Sequence, residues 1–162
     1  MQWDIITNII LISSIIILAV FAFLGLAQLI HRKSLKKVDK EIKWMPLPLT
    51  LMAITYFIFD KFLIISTRPN GSGESSFPST HVMVVATIFF LVAIILPRYI
   101  RSKAACIVLD IIMFASIILT CFGRVLANMH WITDVIGAIA FSVVFAAIYY
   151  LIIKKPKKEQ NE

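Results

Sequence analysis

Charge is what this chain has least of. Only 15% of its 162 residues are charged, against about a quarter in soluble domains. With a mean hydropathy of +0.91, that shortage excludes an ordinary soluble fold and puts the chain in a membrane. Cysteine is nearly absent as well. Cys106 and Cys121 lie in the same apolar segment, over ~20 Å apart on a helix rising roughly 1.5 Å per residue, which excludes a bond between them. Neither belongs to a C-x-x-C spacing, so both read as small apolar residues. No Asp, Glu and His cluster has metal-ligand spacing, so no metal and no cofactor is expected. No basic residue precedes the first apolar run, which is also too long for a cleavable leader and reads as a spanning segment. The formal charge of +7 sits in short runs between apolar segments. It forms no aromatic-interleaved basic face, which argues against nucleic acid and for topology signals and anchors to anionic lipid.

What the sequence does contain is apolar length. Stretches at about 4–30, 46–66, 80–96, 104–122 and 132–153 each meet or approach the ~20 residues that span a bilayer. Backbone groups in lipid must be satisfied within the segment, so each is expected to be a helix. The fold class is therefore all-α, a polytopic bundle of about five transmembrane helices in a single domain over 1–162. Thirteen of the sixteen basic residues fall in the connections 31–45 and 97–103 and in the tail 154–162. Facing those regions to the cytoplasm puts the N-terminus outside and the C-terminus inside.

The other three cations, Lys61, Arg68 and Arg124, then lie at the outer face, where positive residues are scarce. Other polar outliers gather there. "RPNGSGESSFPSTH" ends in Ser79, Thr80 and His81, and "GRVLANMHWITD" carries Arg124, His130 and Asp134. His130 and Asp134 are four apart at a helix start, so the carboxylate can accept a hydrogen bond from one imidazole nitrogen and leave the other free as base or nucleophile. Arg68 and Arg124 offer planar forks suited to an oxyanion, and Lys61 adds a point charge. Pro78 suits a helix start that Ser79 or Thr80 can cap, and exposed amides at a helix start favour an anion. His81 can then hand a proton to a leaving oxygen. The pattern points to phosphoryl transfer without a metal.

"KFLIISTRP" with Lys61, Arg68 and Pro69, "PSTH" with Pro78 to His81, and "GRVLANMHWITD" with Arg124, His130 and Asp134 resemble, in order and internal spacing, the three signature motifs of the type-2 phosphatidic acid phosphatase superfamily. The resemblance covers about residues 61–134 and the helix that follows. It implies that His130 attacks phosphorus to give a phosphohistidine, that Asp134 orients it, and that His81 protonates the leaving alkoxide. It implies too that Lys61, Arg68, Ser79, Thr80 and Arg124 hold the phosphate. Two positions depart from the family pattern: Thr80 stands where glycine is usual, and Gly123 where serine is usual. Five helices are counted where six are common.

The expected activity is hydrolysis of a lipid phosphate or pyrophosphate at the extracytoplasmic face of the cell membrane. The resemblance allows undecaprenyl pyrophosphate, phosphatidylglycerol phosphate, phosphatidic acid and lipid A phosphates, and the outer-face site favours a polyprenyl pyrophosphate. The alternatives are a phosphotransferase that resolves the same intermediate with an acceptor hydroxyl, and a non-catalytic module that binds lipid phosphate. Within the apolar segments, Asp60 adjoins Lys61 and can orient it. Asp110 is a buried-segment carboxylate with no assigned role.

Overall fold

A computed structural model describes residues 2–154. The chain is built from helices α1 (Gln2–Arg32), α2 (Lys40–Trp44), α3 (Pro46–Lys61), α4 (Thr80–Tyr99), α5 (Lys103–Leu126) and α6 (Ile132–Lys154), with a single 3-10 turn at Leu35–Lys37. Among the described residues, five helical stretches are long and apolar enough to cross a membrane, α2 and α3 together forming one of them, Lys40–Lys61. The expected all-helical bundle is thus present. The basic tail beyond Lys154 lies outside the described residues.

Two boundaries differ from expectation. The second apolar stretch does not stay helical to residue 66: α3 ends at Lys61, and Phe62–Ile65 run as exposed, non-helical chain. An apolar run does not by itself separate helix from extended chain. Here the backbone of the next residues has another partner, since Ser76 N donates to Ser66 O at 2.9 Å and Thr67 bridges Ser75. The basic region 31–45, expected as a connection, contains α2. It is held by Asp39, which accepts from Gln28 Nε2 at 2.8 Å and from Arg32 at 2.9 Å, while Asp39 N donates back to Gln28 Oε1 at 2.9 Å.

α4 is the axis of the bundle. It packs against α1, α3, α5 and α6. Val82, Val85, Ala86, Ile88, Leu91 and Ile95 are essentially inaccessible. The outer helices turn large apolar side chains outward instead, among them Phe23, Ile30, Ile111, Phe114 and Ile136, as lipid-facing surfaces do. Small polar groups tie α4 to α6: Thr87 Oγ1 donates to Ser142 Oγ at 3.0 Å, and Ser142 Oγ reaches Met83 O at 3.1 Å. Such side-chain bonds glue helices where burial against lipid gives no drive.

Candidate active site

The start of α4, the start of α1, and the junction between α5 and α6 meet at one end of the bundle. Asp134, in the first turn of α6, is fully buried. Its Oδ2 accepts from Trp131 N at 2.8 Å, satisfying an amide at the helix entry in the manner of a capping box. Oδ1 accepts from Ser66 Oγ at 3.1 Å, and Oδ2 also accepts from Ser76 Oγ. The carboxylate therefore fastens the loop after α3 to α6. Its backbone does likewise, as Ser79 N donates to Asp134 O at 3.2 Å, and so does its neighbour, as Trp131 Nε1 donates to Thr67 O at 2.9 Å.

The direct bond expected between Asp134 and His130 is not made. Asp134 Oδ2 is 3.7 Å from His130 Nδ1, beyond hydrogen-bond range. Nδ1 instead donates to the Ser76 carbonyl at 2.8 Å, with Ser76 Oγ 3.3 Å away. Ser76 intervenes because its backbone reaches the imidazole while its hydroxyl reaches the carboxylate. The chemical result resembles the expected one: a carbonyl only accepts, so Nδ1 carries the proton and Nε2 keeps its lone pair. Burial, helped by the Arg124 charge and opposed by the Ser76 bond and Asp134, brings the His130 pKa down to about 4. The imidazole is neutral near pH 7 and only 4% exposed.

Two guanidinium groups belong to the same cluster, since Arg124 and Arg68 both act electrostatically on His130. Arg124 is 4% exposed and pairs with Asp4 at 3.0 Å. Arg68 pairs with Glu74 at 2.7 Å. The Nε atoms of both arginines are buried without a hydrogen-bond partner, and so is the hydroxyl of Ser79. Buried donors in native folds nearly always find an acceptor. Three orphans in one cluster, two of them cationic, describe a place fit for an anion. Ser79 takes the N-cap position of α4, yet its side chain caps nothing. The first bond of that helix runs from Met83 N to Ser79 O at 2.9 Å, so the amides of residues 80–82 have no intrahelical acceptor. Thr80 stands at this helix start, half-buried.

Sequence reasoning missed the contribution of α1. His81, which lies within electrostatic reach of His130, Arg124, Arg68 and Asp4, places Nε2 2.8 Å from Asn8 Oδ1. The amide oxygen only accepts, so Nε2 bears a proton. Asp4 and Asn8 are one helical turn apart on α1, one facing Arg124 and the other His81. Polar residues four apart in an apolar run were the available signal. Gly123 explains how α1 comes so near: a β-carbon there would sit 2.6 Å from Thr7 Cγ2. The departure from serine thus admits α1, and with it Asp4. Ser66 and Ser76 were also missed, because nothing in one sequence distinguishes them from the other hydroxyls of that loop.

Lys61 is less integrated. Its side chain is largely exposed and pairs with Asp60 at 2.8 Å, as their adjacency suggested. Asp110 lies on α5 away from the cluster, beside Phe89, Phe90 and Met113 in an apolar groove between α4 and α5. Among the described residues, no three His, Cys, Asp or Glu side chains group to hold a metal ion.

The model of the PAP2 superfamily matches residues 49–158. Among solved structures, the chain is similar to a transmembrane PAP2-type phosphatidylglycerolphosphate phosphatase from Bacillus subtilis, with a TM-score of 0.74 and 18% identity, covering 98% of this chain and 80% of that one. No curated protein matches.

Proposed function

Since this chain belongs to the PAP2 superfamily, we propose that it is a membrane lipid phosphatase working through a phosphohistidine. Nε2 of His130 attacks phosphorus, the bond from phosphorus to the leaving oxygen breaks, and His81, protonated on both ring nitrogens once the phosphate anion is bound beside it, gives one proton to that oxygen and is left as neutral imidazole. Water then attacks the phosphohistidine, giving up a proton to His81, and inorganic phosphate leaves with His130 restored. Arg68, Arg124, Ser79 and the amides at the start of α4, with Thr80 among them, hold the phosphoryl oxygens, and Lys61 joins them from the rim. Asp134 acts through Ser76 to keep His130 in its nucleophilic tautomer. Asn8 orients the His81 ring by accepting from its Nε2–H, and Asp4 holds Arg124 in place until substrate arrives.

The observation that carries this reading is the neutral, buried His130, tied at Nδ1 to Ser76 O and set among arginines whose buried Nε atoms lack acceptors. A preorganised set of donors stabilises charge that develops on phosphoryl oxygens. The substrate class follows from depth: the cluster lies at the end of membrane-spanning helices, beside the exposed apolar strap Phe62–Ile65. A lipid's phosphate can enter there while its chains stay among the helices. With the basic connections facing the cytoplasm, the cluster opens on the extracytoplasmic side of the cell membrane.

The test is phosphate release by the purified protein from undecaprenyl pyrophosphate, phosphatidylglycerol phosphate, phosphatidic acid and a lipid A phosphate. At least one should be hydrolysed in excess chelator and inhibited by vanadate, and a brief acid-free quench should trap phosphate on His130. Release only in the presence of an acceptor alcohol makes the chain a transferase. Binding without turnover reduces it to a lipid-phosphate module.

A further inference from the structure

The other end of the bundle carries a second site of opposite character. α1 is 31 residues long, about 45 Å at ~1.5 Å per residue. It begins at the catalytic cluster with Asp4 and Asn8 and ends at Arg32. α4 likewise begins beside His81 and ends beside Arg98. Around those far ends lies a cavity of about 550 Å³ whose lining includes Arg32, Lys36, Lys37, Lys40, Lys43 and Arg98, with Asp39 the one carboxylate among the described residues that line it. Trp44 closes one side of it and is 39% exposed, a side chain suited to the level where headgroups meet hydrocarbon.

A second depression adjoins it. A trough of about 370 Å³ runs between α1 and α3, lined by Phe21, Leu26, Leu29, Met45 and Leu49 among others, and Val38 and Lys43 line both cavities. α2 seals its floor by lying close against α1, where a β-carbon on Gly25 would meet Ile42 Cγ2 at 2.6 Å. A basic mouth opening into an apolar trough has the two-part chemistry of an anionic phospholipid: phosphate and any further anionic group at the mouth, one acyl chain in the trough. A soluble anion uses only the mouth.

We propose that this groove is a binding site for an anionic phospholipid of the leaflet opposite the catalytic cluster. Charge complementarity favours this occupant. The mouth carries exposed Lys36, Lys37 and Lys43 beside an arginine already paired with its carboxylate, Arg32 with Asp39 at 2.9 Å. Arg98 is held by Glu41 at 2.6 Å, which fixes the tip of α4 against α2 and keeps the mouth open. The proposal does not depend on the phosphatase reading, because no catalytic residue lines either cavity.

Lipid retention by the purified full chain tests it, using dioleoyl-phosphatidylserine, dioleoyl-phosphatidylcholine and inorganic phosphate as probes in native mass spectrometry. Phosphatidylserine should be retained at least ~10-fold better than phosphatidylcholine. The K36Q/K37Q/K43Q variant should lose that preference by roughly 10- to 100-fold, and K36R/K37R/K43R should keep it. Both variants should retain helical content and phosphate release. Equal retention of the two lipids, an unchanged preference in the glutamine variant, or displacement of phosphatidylserine by inorganic phosphate at equal concentration would each overturn the proposal.

Discussion

Both ends of this bundle are rich in cations, but they carry them differently. At the end proposed to be catalytic, Arg124 is buried, paired with Asp4, and fixed by packing of α1 on Gly123. At the other end Lys36, Lys37 and Lys43 are exposed on a turn and a short helix. A buried charge must be compensated and aimed, since removing it from water costs several kcal/mol. Exposed charges stay solvated and act collectively through a screened field. The contrast teaches that burial, more than charge count, distinguishes the two cationic ends of this chain.

The comparison breaks most visibly at His130. His130→Gln should lower phosphate release by about 10⁴-fold or more, as loss of a nucleophile does elsewhere; a residual rate within tenfold of the parent removes His130 from the chemistry. Asp134→Asn comes next. It should lower kcat by about 10²- to 10³-fold with little change in KM, because the carboxylate acts through Ser76 and touches no substrate. A change confined to KM makes Asp134 a binding residue.

Asn8→Ala sharpens the claim that α1 belongs to the site. A drop of about 10-fold in kcat is expected with a lipid alkoxide leaving group, and almost none with a p-nitrophenyl phosphate, whose departure needs no proton. An equal drop with both substrates reduces Asn8 to a packing role. The same end should differ in pH response. Because the His130 pKa falls from 6.5 to about 4, its nucleophilic form persists well below neutrality. Its acid limb in kcat/KM, corrected for substrate titration, should then lie below pH 5. The sign for stability is the reverse of benefit: the unfolded chain takes up this proton near 6.5 and the folded one resists until about 4. Acidification through that window therefore destabilises the fold, and His130→Gln flattens the loss. A limb at 6.5 places the imidazole in water. The smallest effect belongs to the far end, where K36Q/K37Q/K43Q should change phosphate release in detergent by less than about twofold.

Much of the fold was legible because membrane burial writes itself as uninterrupted apolar length. The starts of α4 and α6 were legible through "PSTH" and "HWITD". The end of α3 was not, since Phe62–Ile65 are apolar in either conformation, and only the pairing of Ser66 with Ser76 draws them out of the helix. The His130 and Asp134 spacing suggested contact, whereas the structure inserts Ser76 between them. Four-residue spacing puts two side chains on one face but does not fix what a distant loop lays against them. Gly123 stands where the family pattern has serine, and its packing against Thr7 shows what the missing side chain makes room for.

The sequence by itself determined that this chain crosses a membrane several times and that histidines, arginines and a carboxylate recur at one set of helix ends. Hydrophobic length and residue type are local properties that need no partner to be read. Only the tertiary structure decided that α1 supplies Asp4 and Asn8, that Ser76 mediates between Asp134 and His130, and that a basic mouth adjoins an apolar trough. The contacts of Asp4, Asn8 and Ser76 join residues far apart in the chain, and only helix packing together with the fastening of the loop after α3 brings them within hydrogen-bond range.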